Sequence, residues 1–181
     1  MVEAQGTLLD ALILVFFIRW LDSLGERRRQ VNRYQEEIED FLGLESEQAK
    51  HRIIGNVKRL NRKETTPQNL ERAHLRGAKL ANADLSDTLL TQANLSEAIL
   101  SDTDLSETVL VAADLSESSL VRADLSETNL FNADLSGADL QDADFSGADL
   151  VLADLRGVEN ASAEQSSARP TRFTGRSSMS R

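Results

Sequence analysis

Cysteine is absent from this 181-residue chain. A disulfide framework, a thiolate nucleophile and every cysteine-held metal site are thereby excluded. Histidine occurs only at His51 and His74, too few for most zinc or acid–base constellations. Aromatic residues are scarce, and five of them (Phe16, Phe17, Trp20, Tyr34 and Phe41) stand near the N-terminus. The rest of the chain must therefore build its core almost without rings. Bases are outnumbered, 20 to 30, which argues against direct binding of nucleic acid through its phosphates. The longest apolar run, Ala11 to Ile18, is far shorter than the roughly 20 residues a membrane span needs. No small-residue cleavage site follows it, so a secretory signal is not expected. No glycine-rich phosphate loop and no nucleophile motif is present.

What the chain does have is leucine, 28 residues of it, and a period. Leu recurs at every fifth position from Leu70 to Leu155, with Phe145 filling the one gap. Two residues before each stands Ala, Thr or Ser, Gln68 excepted. Between them most copies carry Asp or Asn, as in Ala83-Asp84-Leu85-Ser86-Asp87. A period of five fits neither an α-helix nor a heptad. The in-out-in order of Ala, Asp and Leu is that of a very short strand. The two remaining residues, often Ser-Glu or Ser-Gly, turn the chain. Each pentad is thus one short side and one corner.

Tandem Ala-(Asp/Asn)-Leu-x-x over residues 68–157 resembles the pentapeptide-repeat proteins. The resemblance implies a mainly β fold, a right-handed quadrilateral β-helix with four pentads per coil. About 4.5 coils are expected, preceded by an α-helical N-terminal segment. It implies no particular function, because the family is functionally diverse.

Three segments are expected: residues 1–66 (cap, anchor or oligomerisation segment), residues 67–157 (the β-helix) and residues 158–181. The last is rich in Ser, Ala and Arg, and is expected to be a disordered tail. Charge follows the same division. Residues 67–157 hold 17 acids and 5 bases, whereas residues 1–66 balance to zero.

Four pentads per coil stack residues twenty apart, which sorts the outward positions into four walls. The Leu85 wall, with Leu105, Leu125 and Phe145, is acidic: its outward line is Asp84, Asp104, Asp124 and Asp144. The Leu95 wall opposite is similar, with Asp114, Asp134 and Asp154. The Leu90 wall differs. Its outward lines include Leu89, Val109, Val111, Phe131 and Val151, an apolar stripe on a face that should meet water. Such a stripe is either cross-strand packing on a wet surface or a contact surface for protein. The acidic lines are either solvated turn residues or an imitation of DNA phosphate lines, as in some pentapeptide-repeat proteins that act on gyrase. Calcium on stacked Asp residues is not expected, because the lines lack a multidentate cage.

Residues 7–63 read as helical. Leu12, Phe16, Phe17 and Trp20 lie in the apolar stretch of residues 8–24, with Arg27-Arg28-Arg29 behind it. Three roles stay open for that stretch: a cap on the β-helix, a membrane-surface or short membrane anchor at the cytoplasmic side, or self-association. A second stretch, Glu26 to Leu42, places Val31, Tyr34, Ile38, Phe41 and Leu42 on one face, with Gly43 as a stop. A third, Ser46 to Leu60, does so with Ala49, Ile53, Val57 and Leu60. No cofactor and no catalysis are expected. The chain reads as a cytoplasmic scaffold or protein-interaction module, with inhibition of a DNA-binding enzyme by DNA mimicry as the alternative.

Overall fold

The computed structural model describes the backbone of residues 2–160 and the side chains of residues 13–160. Two compact units divide it, the first ending at Arg33 and the second beginning at Tyr34.

Helix α1 spans Val2–Glu39 and α2 spans Glu47–Asn61. The two stretches expected around Gly25 are thus one continuous helix, since a single glycine lowers helix stability without ending it. The turn that follows α1 closes at Gly43, whose φ of 72° suits a residue without a Cβ. Ser46 caps α2: its Oγ accepts from the Ala49 N–H at 3.0 Å. Along α2, Ala49, Ile53, Val57 and Leu60 are buried, the face the spacing predicts. In the second unit, the end of α1 packs on α2. The Arg59 guanidinium lies 5.7 Å from the Tyr34 ring centre, and Asn56 donates to the Glu37 carboxylate at 2.8 Å.

From Asn69 onward the chain winds as a parallel coil. Every bridge joins residues twenty apart, from Asn69 with Leu89 to Asp139 with Glu159. Four pentads therefore fill one turn. Each strand is reduced to a single bridged residue, shorter than the in-out-in segment suggests. The coil also runs further than residue 157: Val158, Glu159 and Asn160, expected in the tail, complete one more side. There Glu159 pairs with Asp139 through bonds in both directions, and Asn160 donates to the Asp139 carboxylate. The tail expectation for residues 161–181 lies outside the described residues.

The interior is a column of Leu against a column of Ala, Thr and Ser. Leu70 through Leu135 are buried throughout the column, and Phe145 is 4% exposed. Inward Thr residues satisfy their hydroxyls on backbone carbonyls. Thr88 donates to Pro67 O at 2.7 Å and Thr128 to Leu125 O at 2.6 Å. A buried hydroxyl without such a partner costs stability, and Ser118 is in that position among the described residues.

The first coil is closed by side chains that stand in for a missing coil before it. The Asn61 amide donates to Asp84 O at 2.7 Å and accepts from the Asp84 N–H at 3.0 Å. Lys50 donates to Arg76 O at 2.9 Å, and Gln35 accepts from the Gln68 N–H at 3.2 Å. An open coil edge presents unpaired backbone groups, and these residues pair them. At the other end Leu150, Ala153 and Leu155 are only half-buried.

Candidate functional site

The walls differ in how they satisfy the backbone. In a typical pentad, four of five N–H groups are bonded by backbone alone. The Leu85 N–H donates to Asp104 O, the Asp104 N–H to Ala83 O, and the Asp87 N–H to Ser106 O. The Ala83 N–H closes the corner on Leu80 O. The fifth, that of Ser86, has no backbone acceptor and donates instead to the Asp84 carboxylate at 3.1 Å. This is the side-chain turn that Asp and Asn favour. It recurs at Asp104 (to Ser106), Asp124 (to Ser126) and Asp144 (to Ser146) on the same wall. On the Leu95 wall it recurs at Asn94, Asp114, Asp134 and Asp154. The acidic lines of the sequence are therefore turn-makers. Asn129 makes the same bond to the Phe131 N–H without a charge.

Two of these carboxyls are held below the usual range. The Ser146 hydroxyl, then its N–H, stabilises the charged form of Asp144. The Arg156 guanidinium does so for Asp154. Across coils, Arg122 forms a two-armed pair with Asp102, which lowers the Asp102 carboxyl and raises the guanidinium.

The Leu90 and Leu100 walls break this rule in their middle coils. Leu89 and Val109 stand where Asp or Asn would cap the turn, and so do Ile99 and Ser119. The N–H groups of Thr91, Val111, Ser101 and Val121 accordingly find no protein acceptor among the described residues. The stripe expected on the Leu90 wall is a surface feature. Leu89 is 41% and Phe131 39% exposed, while Val109, Val111 and Val151 are half-buried. Leu152, 59% exposed, extends it.

Corner geometry adds a second departure. All eighteen corner residues from Arg72 to Gly157 have positive φ, and only four are Gly. The corner line beside Leu89 and Val109 reads Asp87, Glu107, Glu127 and Gly147. Its three acids have φ of 54°, 58° and 55°, in backbone that favours Gly, Asn or Asp, so Glu107 and Glu127 are the exceptions. At Gly147 a Cβ would collide with the overlying Glu127 carboxyl unless that side chain moved.

On α1, Phe16, Phe17 and Trp20 are exposed, as are Ile13, Leu14, Leu21 and Leu24. Phe17 and Trp20 stack at 5.8 Å between ring centres. The Leu12 side chain lies outside the described residues. Among those residues no helix is long and apolar enough to cross a membrane. A polar cleft of about 380 Å³ lies between the start of α2 and the first coils, where His74 Nδ1 stands 3.7 Å from the Glu45 carboxylate. There Lys50 pairs with Glu47 and Arg76 with Glu97, and the Ser46 hydroxyl is engaged as the cap of α2. Among the described residues no group of three or more His, Asp or Glu is placed to hold a metal ion.

Stacked five-residue turns with side chains displayed on repeating walls define a solenoid repeat protein. The family model for pentapeptide repeats matches residues 69–106, 108–147 and 118–157, eight copies in all. The chain is 34% identical to alr5209, a pentapeptide repeat protein from Nostoc Pcc 7120. That match covers 56% of this chain and 83% of the other, at a TM-score of 0.50. It is 35% identical to a pentapeptide repeat protein (Rfr23) from the cyanobacterium Cyanothece 51142, over 52% of this chain and 69% of that one, at a TM-score of 0.40. The chain belongs to the pentapeptide-repeat family, whose members form right-handed β-helices and are generally non-catalytic structural or interaction proteins. QnrB1, a plasmid-mediated fluoroquinolone resistance protein, is 18% identical over 54% of this chain and 62% of that one, at a TM-score of 0.18, too remote to bear on activity. No curated protein matches the sequence.

Proposed function

We propose that the chain is a non-catalytic scaffold, a quadrilateral β-helix that binds a protein partner through Leu89, Val109, Val111, Phe131 and Val151. The observation that carries this reading is the loss of the turn-capping Asp or Asn at Leu89 and Val109. Each such loss forgoes a hydrogen bond worth about 1 kcal/mol, and it leaves Leu89 exposed and Val109 half-buried. Residues that cost stability in a fold that offers a better alternative at the same position support a role outside the fold. The acidic lines have a local backbone role, which favours this reading over mimicry of a phosphate line.

The exposed apolar side chains of α1, followed by Arg27-Arg28-Arg29, support a second contact, with an anionic lipid surface at the cytoplasmic face of a membrane. Self-association through the same side chains is the competing occupant. Sedimentation with phosphatidylserine vesicles, with and without residues 1–24, separates them.

The scaffold reading is tested by photo-crosslinking from position 131 in cells. A discrete crosslinked protein is expected, and it should vanish in Val111→Asp/Phe131→Asp while the thermal melt stays cooperative. An unchanged crosslinking pattern in the double variant would remove the stripe from the function.

A further inference from the structure

The stripe carries information about the shape and charge of what covers it. Of the five chain segments that form the Leu90 wall and its flanking corners, the first, residues 67–72, carries Arg72, which donates to Gln92, and the other four, residues 87–92, 107–112, 127–132 and 147–152, contain no Lys or Arg. They contain Asp87, Glu107 and Glu127 on one corner line, and Asp149. Beyond the other edge runs the line Asp114, Asp134 and Asp154 of the neighbouring wall. An apolar strip is thus bordered on both sides by carboxylates. The acids of the first border are not demanded by the backbone: Gly147 occupies the same corner one coil on, and the three acids adopt its left-handed conformation.

Spacing selects the shape of the occupant. Stacked coils repeat at about 4.8 Å, the inter-strand distance. One helical turn rises about 5.4 Å. Same-side residues of an extended strand stand nearly 7 Å apart, two rises of about 3.3 Å each. Over three coils a helix laid along the coil axis stays close to register with Leu89, Val109 and Asn129, and with Asp87, Glu107 and Glu127. An extended strand drifts by roughly one coil over the same span.

Resting on the scaffold reading above, we propose that the Leu90 wall docks a cationic amphipathic helix of its partner. The helix lies along the coil axis. Its apolar ridge sits on Leu89, Val109, Val111 and Phe131, and its Lys or Arg side chains reach Asp87, Glu107 and Glu127.

The test uses the full chain and a fluorescein-labelled Leu/Lys helix of about 14 residues, long enough to present three turns. Fluorescence anisotropy should show saturable binding that weakens with added salt. Phe131→Ser/Val111→Ser and Glu107→Gln/Glu127→Gln should each weaken it about tenfold, the scale of a lost interface anchor. Asp104→Asn/Asp124→Asn removes the same charge from the Leu85 wall, keeps its turn bonds, and should leave binding unchanged. Absence of binding overturns the proposal. So does equal binding of a Leu/Glu helix, or an equal loss in the Leu85-wall variant, which would mean attraction by net charge alone. If the peptide fails while the crosslink from position 131 remains and depends on the stripe, the scaffold reading stands and the helical, cationic partner falls.

Discussion

The Leu85 and Leu90 walls are built on the same backbone and separated by one corner, yet they treat the same problem in opposite ways. On the Leu85 wall every coil from Asp84 to Asp144 spends its outward side chain on the N–H that the ladder leaves over. On the Leu90 wall, Asn69, Asn129 and Asp149 do so at the ends of the stack, and Leu89 and Val109 do not in the middle. The fold tolerates the exception because the N–H groups of Thr91 and Val111 lie at corners. What a repeat needs in order to stack and what it displays are separable, and the positions where they disagree are the informative ones.

Several substitutions would break or sharpen that contrast. The interior is common to both walls, so Leu110→Ala should destabilise the whole coil by about 2–5 kcal/mol, read as a lower urea midpoint. Equal stability would mean that the column of Leu is not the core. Next in size is the turn bond itself. Asp124→Ala should cost about 1 kcal/mol and Asp124→Asn almost nothing, because the amide oxygen accepts from Ser126 as the carboxylate does. A matching loss in both would show that charge, not the turn, is what counts there. On the other wall the sign reverses. Val109→Asn restores an acceptor for the Val111 N–H and should raise stability by roughly 0.5 kcal/mol, less than a full hydrogen bond because some apolar contact is lost. A fall in melting temperature would undo the claim that Val109 costs the fold anything.

The smallest effect is on pH dependence. The folded Asp144 carboxyl titrates below its unfolded value, so its contribution is fully present above the ordinary carboxylate pKa of about 4 and is lost as pH falls through the lower folded value. Asp144→Asn should therefore show a shallower loss of stability in acid than the parent chain. Parallel curves would remove the Ser146 bonds as the cause.

Much of the architecture was legible in the residues. A five-residue period from Leu70 to Leu155 has no helical solution, and the bridges between residues twenty apart confirm the vertical stacking of the walls. The face Ala49, Ile53, Val57 and Leu60 of α2 was visible from its spacing. Less legible was why Asp recurs. As an outward residue it reads as charge, and only the count of backbone donors reveals it as a turn cap. The closure of the first coil by Asn61 could not be seen either, since its bonds to Asp84 span 23 positions and no local pattern announces them. The eighteen left-handed corners were hidden for the opposite reason. Glu107 and Glu127 sit in them against their own preference, so composition points elsewhere.

The twenty-residue register also limits how such a chain can change its length. Deleting one pentad, residues 104–108, would leave every later strand able to pair, because all pentads share the same ladder. It would, however, carry each downstream side chain a quarter-turn around the coil, placing Val109 over Asp84 and Asp114 over Leu89. Gains and losses that keep a surface intact must therefore come in whole coils of four pentads, whereas any multiple of five preserves the fold. A lineage of such proteins can drift in length without unfolding while its binding faces are shuffled at each step, a ready source of new surfaces from one stable stack.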